Sequence, residues 1–274
     1  MRSFRNAAAR LDSVVRGSPA FLLTALAALL ISSAITIFGA ARASADYYYE
    51  HIGWRTAEYK KLDELRAGMN VERFVTELGP AVFVRASPSP VRVGWTPRTH
   101  VLVESIFRGR GYWVQAIHDE VGTVWLMAVT SCDESFTPTF QPHSKPPVTL
   151  QRTTFAQISP NGNGLRARYF LSAATANSYF YEEAPDINPA NYQTFAWGIN
   201  DACRGWADRI PRDAVVALMD SRLHTETNLT SGVQAFRTTA VVNTYVSTTV
   251  MASPDAIWET FPFGVDRRLL GILR

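Results

Sequence analysis

The longest apolar stretch of the chain lies near its N-terminus and is the feature that most constrains the fold and location of the protein. Residues 19–41 contain no charged side chain and are rich in leucine, isoleucine and alanine. A helix needs about 20 mostly apolar residues to cross the hydrocarbon core of a bilayer. A soluble helix would instead show a polar face at helical spacing, which this stretch lacks. The sequence therefore predicts a transmembrane signal-anchor at 19–41, preceded by a cytoplasmic tail at 1–18.

The charges that flank this stretch predict its orientation. Four arginines and Asp12 precede it, whereas Arg42 on its other side is balanced by Asp46 and Glu50. Positive charge stays on the cytoplasmic side of a membrane. We therefore expect a single-pass protein of the cell membrane with a cytoplasmic N-terminus and an extracytoplasmic C-terminal part. Ala43-Ser44-Ala45 also matches a signal-peptide cleavage site, so a secreted protein cleaved after Ala45 is the alternative.

The basic character of the chain belongs to its first 45 residues. The net charge is +3 and the isoelectric point is about 8.9. Five arginines and one aspartate within residues 1–45 account for +4, which leaves −1 for the rest. No cluster of lysine and arginine with interleaved aromatic residues remains there, as a nucleic-acid surface would need. The sequence therefore argues against a nucleic-acid partner and predicts the membrane as a partner of the N-terminal helix.

The chain has two cysteines, Cys132 and Cys203. An exported domain folds in an oxidising compartment, so the sequence predicts one disulfide bond between them. Two unrelated buried thiols are the alternative, because free cysteine is commonly buried.

Residues 46–141 show the pattern of a helix pair followed by strands. Apolar side chains at helical spacing predict a helix from Trp54 to Leu65, which Gly68 ends. Asn70 is placed to cap a second helix that ends at Gly79. Alternation and β-branched residues then predict an antiparallel meander, with strands at 101–107, 112–117 and 123–130.

Residues 148–274 predict a second antiparallel α+β unit. A short helix at 153–158 precedes a hairpin turn at Asn161–Gly164. The further predicted elements are a long strand at 166–181, its partner at 192–199, a helix at 213–223, strands at 233–248 and an interrupted capping helix at 254–273. The expected fold class is thus α+β, with an N-terminal transmembrane helix and then helix pairs packed on antiparallel β-sheet. The two halves are either tandem copies or parts of one continuous sheet.

The segment Leu62-Asp63-Glu64-Leu65-Arg66-Ala67-Gly68-Met69-Asn70-Val71 runs on through Phe74 and Leu78 to Gly79-Pro80 and is followed by a β-meander. It resembles the bacterial outer-membrane assembly lipoproteins of the small protein A class and the β-lactamase inhibitor protein. That resemblance implies a helix pair packed on an antiparallel sheet. With its anchor included, the chain as a whole is similar to uncharacterised ETEC-type domain proteins of actinobacteria, a resemblance that implies no activity.

The sequence contains none of the common motifs that mark catalytic or nucleotide-binding sites. The chain has no HExxH, CxxC, G-x-S-x-G or Walker motif. The acidic and imidazole side chains of His118-Asp119-Glu120 fall in a predicted turn, where solvated acidic residues are common, and Glu182-Glu183 falls at a hairpin end. We therefore expect no catalytic residue, no metal site and no cofactor. A hydrolase of the cell envelope that uses His118 and Asp119, or Glu182 and Glu183, is the alternative.

Aromatic residues concentrate on two predicted neighbouring strands and offer the sharpest functional signal. Alternation along a strand places aromatic rings on both faces, so part of them must be covered by a partner or exposed. Large rigid rings with a polar tip dominate the energetics of protein interfaces. The predicted binding surface consists of Tyr181, Tyr192, Phe195 and Trp197. The sequence thus predicts a protein-binding module whose partner is another protein of the cell envelope.

Overall fold

The computed structural model describes residues 19–48, 52–88, 90–92, 98–142, 145–160, 165–169, 179–185, 193–200, 202, 231–249, 257, 260, 261 and 263–266. The chain divides into two compact units, residues 1–57 and residues 58–274. Each is described below by itself.

The described residues of the first unit begin with a long helix, α1 (Pro19–Tyr48). Ser32 and Thr36 lie within α1, where the Thr36 hydroxyl donates to the Ser32 carbonyl at 2.8 Å, and Arg42 and Asp46 lie in its C-terminal third. Among the described residues, no helix combines the length and the apolarity that crossing a membrane requires. This finding corrects two predictions, the transmembrane helix at 19–41 and the single-pass localisation in the cell membrane.

A helix pair follows, as the sequence predicts. Helix α2 (Trp54–Asp63) runs across the boundary between the two units, and α3 (Val71–Leu78) lies in the second. The Asn70 side chain accepts from the Glu72 amide at 2.9 Å, which confirms the predicted cap of α3, and the helix ends at Gly79. Phe74 of α3 is fully buried, and its ring lies 6.1 Å from that of Phe107. The helix thus packs on the sheet through this side chain.

One antiparallel sheet of eight strands dominates the second unit. Its strands in chain order are β1 (Phe83–Ala86), β2 (Val103–Gly109), β3 (Tyr112–His118), β4 (Val124–Ser131), β7 (Leu165–Tyr169), β8 (Tyr179–Pro185), β9 (Phe195–Asn200) and β10 (Thr244–Thr248). They lie in the order β1-β2-β3-β4-β10-β9-β8-β7. A separate two-stranded hairpin consists of β5 (Thr139–Phe140) and β6 (Val148–Thr149). Two short helices, α4 (Phe155–Ile158) and α5 (Ser231–Thr239), complete the described elements.

This architecture corrects the predicted fold class. The described part of the chain is mostly antiparallel sheet with few helices, and it lacks the transmembrane helix of the predicted class. The physical reason is the pairing of β4 with β10, which places Thr130 opposite Thr244 and Met127 opposite Ser247. Each half contributes four strands, and because an unpaired strand edge exposes a row of backbone donors and acceptors, the two halves join into one sheet.

Two predicted strands also differ from the structure. The long strand predicted at 166–181 is divided between β7 and β8, which pair with each other, with Tyr169 opposite Tyr181. The segment 233–248 begins as helix α5 instead of a strand, because its buried Val233 and Phe236 recur at helical spacing. The predicted turn at 161–164 and helix at 213–223 lie outside the described residues.

The two faces of the sheet are covered by different segments. On one, here called the helix face, Tyr112 stacks on Phe136 at 4.7 Å between ring centroids, and Phe136 stacks on Tyr59 of α2 at 4.8 Å. On the opposite face, here called the C-terminal face, buried strand residues pack with side chains from near the end of the chain. That cluster is Leu102, Ile117, Leu126, Ala128, Ala196, Val246, Ile257, Phe261 and Phe263.

A buried polar network holds the segment 263–266 on the C-terminal face. Glu104 accepts hydrogen bonds from Arg85 and, at 2.5 Å, from the Gln115 amide, while the Gln115 carbonyl oxygen accepts from the Gly264 amide at 2.7 Å. Burial raises the pKa of Glu104 above its ordinary value, although Arg85 acts in the opposite direction. The nearby Asp266 carboxylate adds to the increase in that pKa.

The structure describes one of the two cysteines. Cys132 directly follows β4, its backbone amide donates to Gly111, and it is disulfide-bonded. Cys203 lies outside the described residues. Because Cys203 is not described, no complete bridge is seen among the described residues, and the pairing of Cys132 with Cys203 stays a prediction.

Candidate binding groove

A groove of about 620 Å³ opens on the helix face, above the centre of the sheet. Its floor comes from β4, β9 and β10, and its walls come from the end of α2 with the following turn and from the hairpin strand β5. The lining residues are Leu62, Asp63, Leu65, Arg66, Ala67, Met127, Thr139, Phe140, Gln141, Pro142, Gln193, Phe195, Tyr245 and Ser247. We call this cavity the groove.

The antiparallel register explains why the floor residues share a face. Residues directly opposite each other in an antiparallel pair point to the same side of the sheet, and so do residues two positions apart along a strand. Ser247 lies opposite both Met127 on β4 and Phe195 on β9. Tyr245, two positions away on β10, therefore projects beside them. The groove thus straddles the junction at which the two four-stranded halves meet.

Three aromatic rings form one side of the groove. The Phe140 and Tyr245 rings are stacked, with centroids 4.5 Å apart and planes inclined by 7°, and the Phe195 ring lies 6.2 Å from Tyr245. Phe140 is half-buried, so part of its ring remains accessible. Burial raises the pKa of the Tyr245 phenol well above its usual value, so the hydroxyl stays protonated at neutral pH. Among the described residues, no group forms a hydrogen bond with that hydroxyl.

The rim of the groove carries one acid and one base. Asp63 and Arg66 are both exposed, at the end of α2 and in the turn that follows. Neither has an ion-pair partner among the described residues, whereas the neighbouring Glu64 is paired with Arg73 at 3.1 Å. Opposite charges that are exposed and unpaired can each bind a group of the other sign on a ligand.

A smaller cavity of about 240 Å³ adjoins the groove. It shares Leu62, Asp63, Thr139 and Phe140 with the groove and adds Tyr59, Thr137 and Pro138. The Tyr59 hydroxyl accepts from the Thr137 amide at 3.0 Å, which fixes this wall. The two cavities together offer a site with two compartments that share Phe140 as a lining residue.

The predicted aromatic surface coincides with the groove at one residue. Phe195 is buried and lines the floor, whereas Trp197, on the same face of β9, has no exposed area. Tyr181 belongs to β8, and its side chain, like the whole of Tyr192, lies outside what the structure describes. Trp197 thus belongs to the buried core of the sheet, and the binding role of the four aromatic residues stays a prediction.

The sequence reasoning missed Phe140, Tyr245 and Arg66. Arg66 and Phe140 come from a turn and a two-residue strand, which carry no periodic signal. Tyr245 lies in a segment rich in β-branched residues, Ala240 to Val246, whose pattern is that of an ordinary strand. The only available signal was the aromatic character of residues 140 and 245.

Asp119, one of the residues of the alternative prediction, is held by hydrogen bonds within its turn. The Asp119 carboxylate accepts from the amides of Thr123 at 2.8 Å and Val121 at 3.2 Å, and from the Trp125 indole at 3.0 Å. These bonds fix the turn between β3 and β4. No group of three potential metal ligands occurs among the described residues. Glu182 and Glu183 lie on β8, with Glu183 opposite Trp197.

No family model matches this chain, and neither the curated proteins nor the solved structures include one similar to it. The resemblances drawn from residues 62–80 therefore stay predictions, and functional inference depends on the geometry of the groove.

Proposed function

We propose that this protein is a binding module that holds a peptide segment of a partner protein in the groove. One observation carries the proposal: an open groove combines a partly accessible aromatic wall with an exposed acid and an exposed base at its rim, neither of them ion-paired within the described part of the chain.

The size and lining of the groove suit a ligand. Ligand pockets have volumes of about 300–1,000 Å³ and apolar or aromatic linings with a few polar groups, and the groove falls within that range. Aromatic residues, methionine and arginine are enriched at protein interfaces, and Phe140, Met127 and Arg66 supply all three. The adjoining smaller cavity adds a second compartment, which favours a ligand with more than one side chain to bury.

A peptide matches the chemistry of the groove because it carries complementary groups on one chain. An apolar or aromatic side chain of the peptide can pack against Phe140 and Tyr245. A carboxylate of the peptide can bind the Arg66 guanidinium, and an ammonium or guanidinium can bind Asp63. The protonated Tyr245 hydroxyl can donate to a peptide carbonyl. Tightest binding is therefore expected for a segment with an aromatic residue between an acidic and a basic residue.

The described lining of the groove offers few of the groups that hydrolysis would need. Its described lining contains no histidine and no cysteine, and its ionisable side chains are Asp63, Arg66 and Tyr245. A general base held within hydrogen-bond reach of a nucleophile is absent from that lining. The geometry at this site thus favours binding over catalysis.

Selection from a random peptide library displayed on phage, with the full-length protein as bait, tests the proposal. Selected peptides are then measured by fluorescence anisotropy against wild type, Arg66→Glu and the control Arg152→Glu. Arg152 is exposed and outside the groove, so the control makes the same charge change elsewhere. We expect acidic aromatic peptides whose affinity falls about tenfold or more in Arg66→Glu, as for loss of a charge-assisted bond, and stays unchanged in Arg152→Glu.

Phe140→Ala provides a second test that does not depend on charge. Removing this ring opens the wall between the two cavities and should weaken the same peptides. Selection that yields no peptide, or peptides whose affinity is equal in wild type, Arg66→Glu and Phe140→Ala, would refute the proposal.

A further inference from the structure

Ser105 and His118 face each other on the helix face of the sheet, away from the groove lining. They lie on the adjacent strands β2 and β3, and the Ser105 Oγ is 3.1 Å from His118 Nε2. On its other side, the imidazole Nδ1 lies 2.8 Å from the backbone carbonyl oxygen of Asp119. A serine, an imidazole and an acceptor that orients the imidazole are thus joined by two successive hydrogen bonds.

These two hydrogen bonds determine where the protons lie. A carbonyl oxygen can only accept, so Nδ1 of the neutral ring must carry the hydrogen and donate to Asp119. The lone pair of Nε2 then faces Ser105, whose hydroxyl donates to it. This is the tautomer in which an imidazole can take the proton of a serine as that serine attacks an electrophile.

Ser105 lies one strand in from the edge of the sheet. Its neighbour on β3 is Ala116, which has a small side chain, and its neighbour on the edge strand β1 is Val84, which is 57% exposed. Ser105 itself retains only a small exposed area, and His118 is half-buried. The approach to the hydroxyl is therefore narrow and runs along the edge of the sheet.

We propose that Ser105 and His118 form a nucleophile and base pair that accepts the acyl group of a small carboxylic ester. The Ser105 Oγ bonds to the carbonyl carbon of the ester while His118 Nε2 takes the hydroxyl proton. The bond from that carbon to the leaving oxygen then breaks, and the leaving alcohol takes the proton from His118. A water molecule then attacks the acyl carbon while His118 Nε2 takes one of its protons. The bond from that carbon to Ser105 Oγ breaks, His118 returns the proton to Oγ, and the acid leaves. The net reaction converts ester and water into acid and alcohol.

A fluorophosphonate tests the pair directly because it forms a stable bond with an activated serine. The Ser105 oxygen would bond to phosphorus, fluoride would leave, and the hydroxyl proton would pass to His118. We expect peptide mapping by mass spectrometry to locate the adduct on Ser105 in the folded full-length protein, and not in protein unfolded in urea. This measurement uses the wild-type protein, so its outcome does not depend on whether any variant folds.

Two variants separate activation from simple access. Glutamine at position 118 can still accept a hydrogen bond from Ser105 but is not a base, so His118→Gln should slow the modification about 10²-fold, the typical effect of general-base catalysis. Ser87→Ala is the control, because Ser87 is another buried serine, outside the pair, whose hydroxyl accepts from the Leu102 amide. It should be modified at the wild-type rate.

The proposal is overturned if no adduct maps to Ser105, or if His118→Gln reacts as fast as wild type. The variant Arg66→Glu, which tests the groove, should be modified at the wild-type rate. Failure of the peptide-binding proposal and failure of the serine proposal are therefore distinguishable.

Discussion

Arg237 in helix α5 is fully buried and clamps that helix to α4. Its guanidinium donates to the carbonyl oxygens of Ser159 at 2.5 Å, Phe155 at 3.3 Å and Pro160 at 3.4 Å, and to the Gln234 side chain at 3.0 Å. Methionine at position 237 would keep most of the apolar volume and remove every one of these bonds. We predict that Arg237→Met destabilises the protein by about 3 kcal/mol, as follows from the acceptors that remain.

In Arg237→Met, the four acceptors of the guanidinium lose unequal amounts of stabilising free energy. The Phe155 carbonyl still accepts from the Ser159 amide at 3.1 Å and keeps one partner. The Ser159 carbonyl, which belongs to a buried residue, loses a short charge-assisted bond, and a buried unsatisfied acceptor costs about 1–3 kcal/mol. The two bonds to Pro160 and Gln234 are only partly buried and together add about 1 kcal/mol.

Thermal unfolding of the full chain, followed by tryptophan fluorescence, measures the effect. For a protein of this size, about 1 kcal/mol shifts Tm by about 2–4 °C, so Arg237→Met should unfold about 6–12 °C below wild type. Arg152→Met, at an exposed arginine, should stay within about 2 °C. If Arg237→Met is as stable as Arg152→Met, the cost of burying the guanidinium equals what its bonds contribute, and our reasoning is wrong.

Three further perturbations have defined outcomes. Tyr112→Phe removes the 2.8 Å hydrogen bond that the buried phenol donates to Glu58, and chemical denaturation should show a loss of about 2 kcal/mol. The raised pKa of Glu104 means that the folded state binds a proton more tightly than the unfolded state, so the stability due to this group is lost as pH rises. The Tm of wild type should therefore rise relative to the Tm of Glu104→Gln as pH falls from 7 toward 4.5. A Tm difference that does not depend on pH would contradict the raised pKa of Glu104. Gly264→Ala should lower Tm more than Gly79→Ala, because both glycines have positive φ but only at 264 would the added Cβ meet a buried amide, at 2.4 Å.

The local pattern of the first meander was sufficient to predict its elements. The predicted strands at 101–107, 112–117 and 123–130 match β2, β3 and β4 to within two residues, and the predicted cap at Asn70 is confirmed. Alternating side chains and tight turns are properties of neighbouring residues, so a sequence reveals them. The helix at 231–239 was missed because three consecutive turn-forming and β-branched residues, Ser231 to Val233, favour other structures.

The groove could not be predicted because its parts are distant in the chain. Phe140 and Tyr245 stack although 105 positions separate them, and their contact depends on the pairing of β10 with β4. That pairing depends on which strand edges meet, and an edge carries little sequence-specific signal. The burial of Trp197 could not be predicted either, since a buried ring and an exposed ring occupy the same alternating positions along a strand.

The junction of β4 and β10 has a consequence for how the chain is made. Thr130 and Thr244 are 114 residues apart, whereas β2, β3 and β4 pair with their immediate neighbours. Contacts between distant residues require a large loop to close and form slowly. As the chain leaves the ribosome, the first meander can assemble while β10 has not yet been synthesised. Throughout that interval β4 is an open edge with apolar side chains, so chains that end before residue 244 should associate with one another through β4.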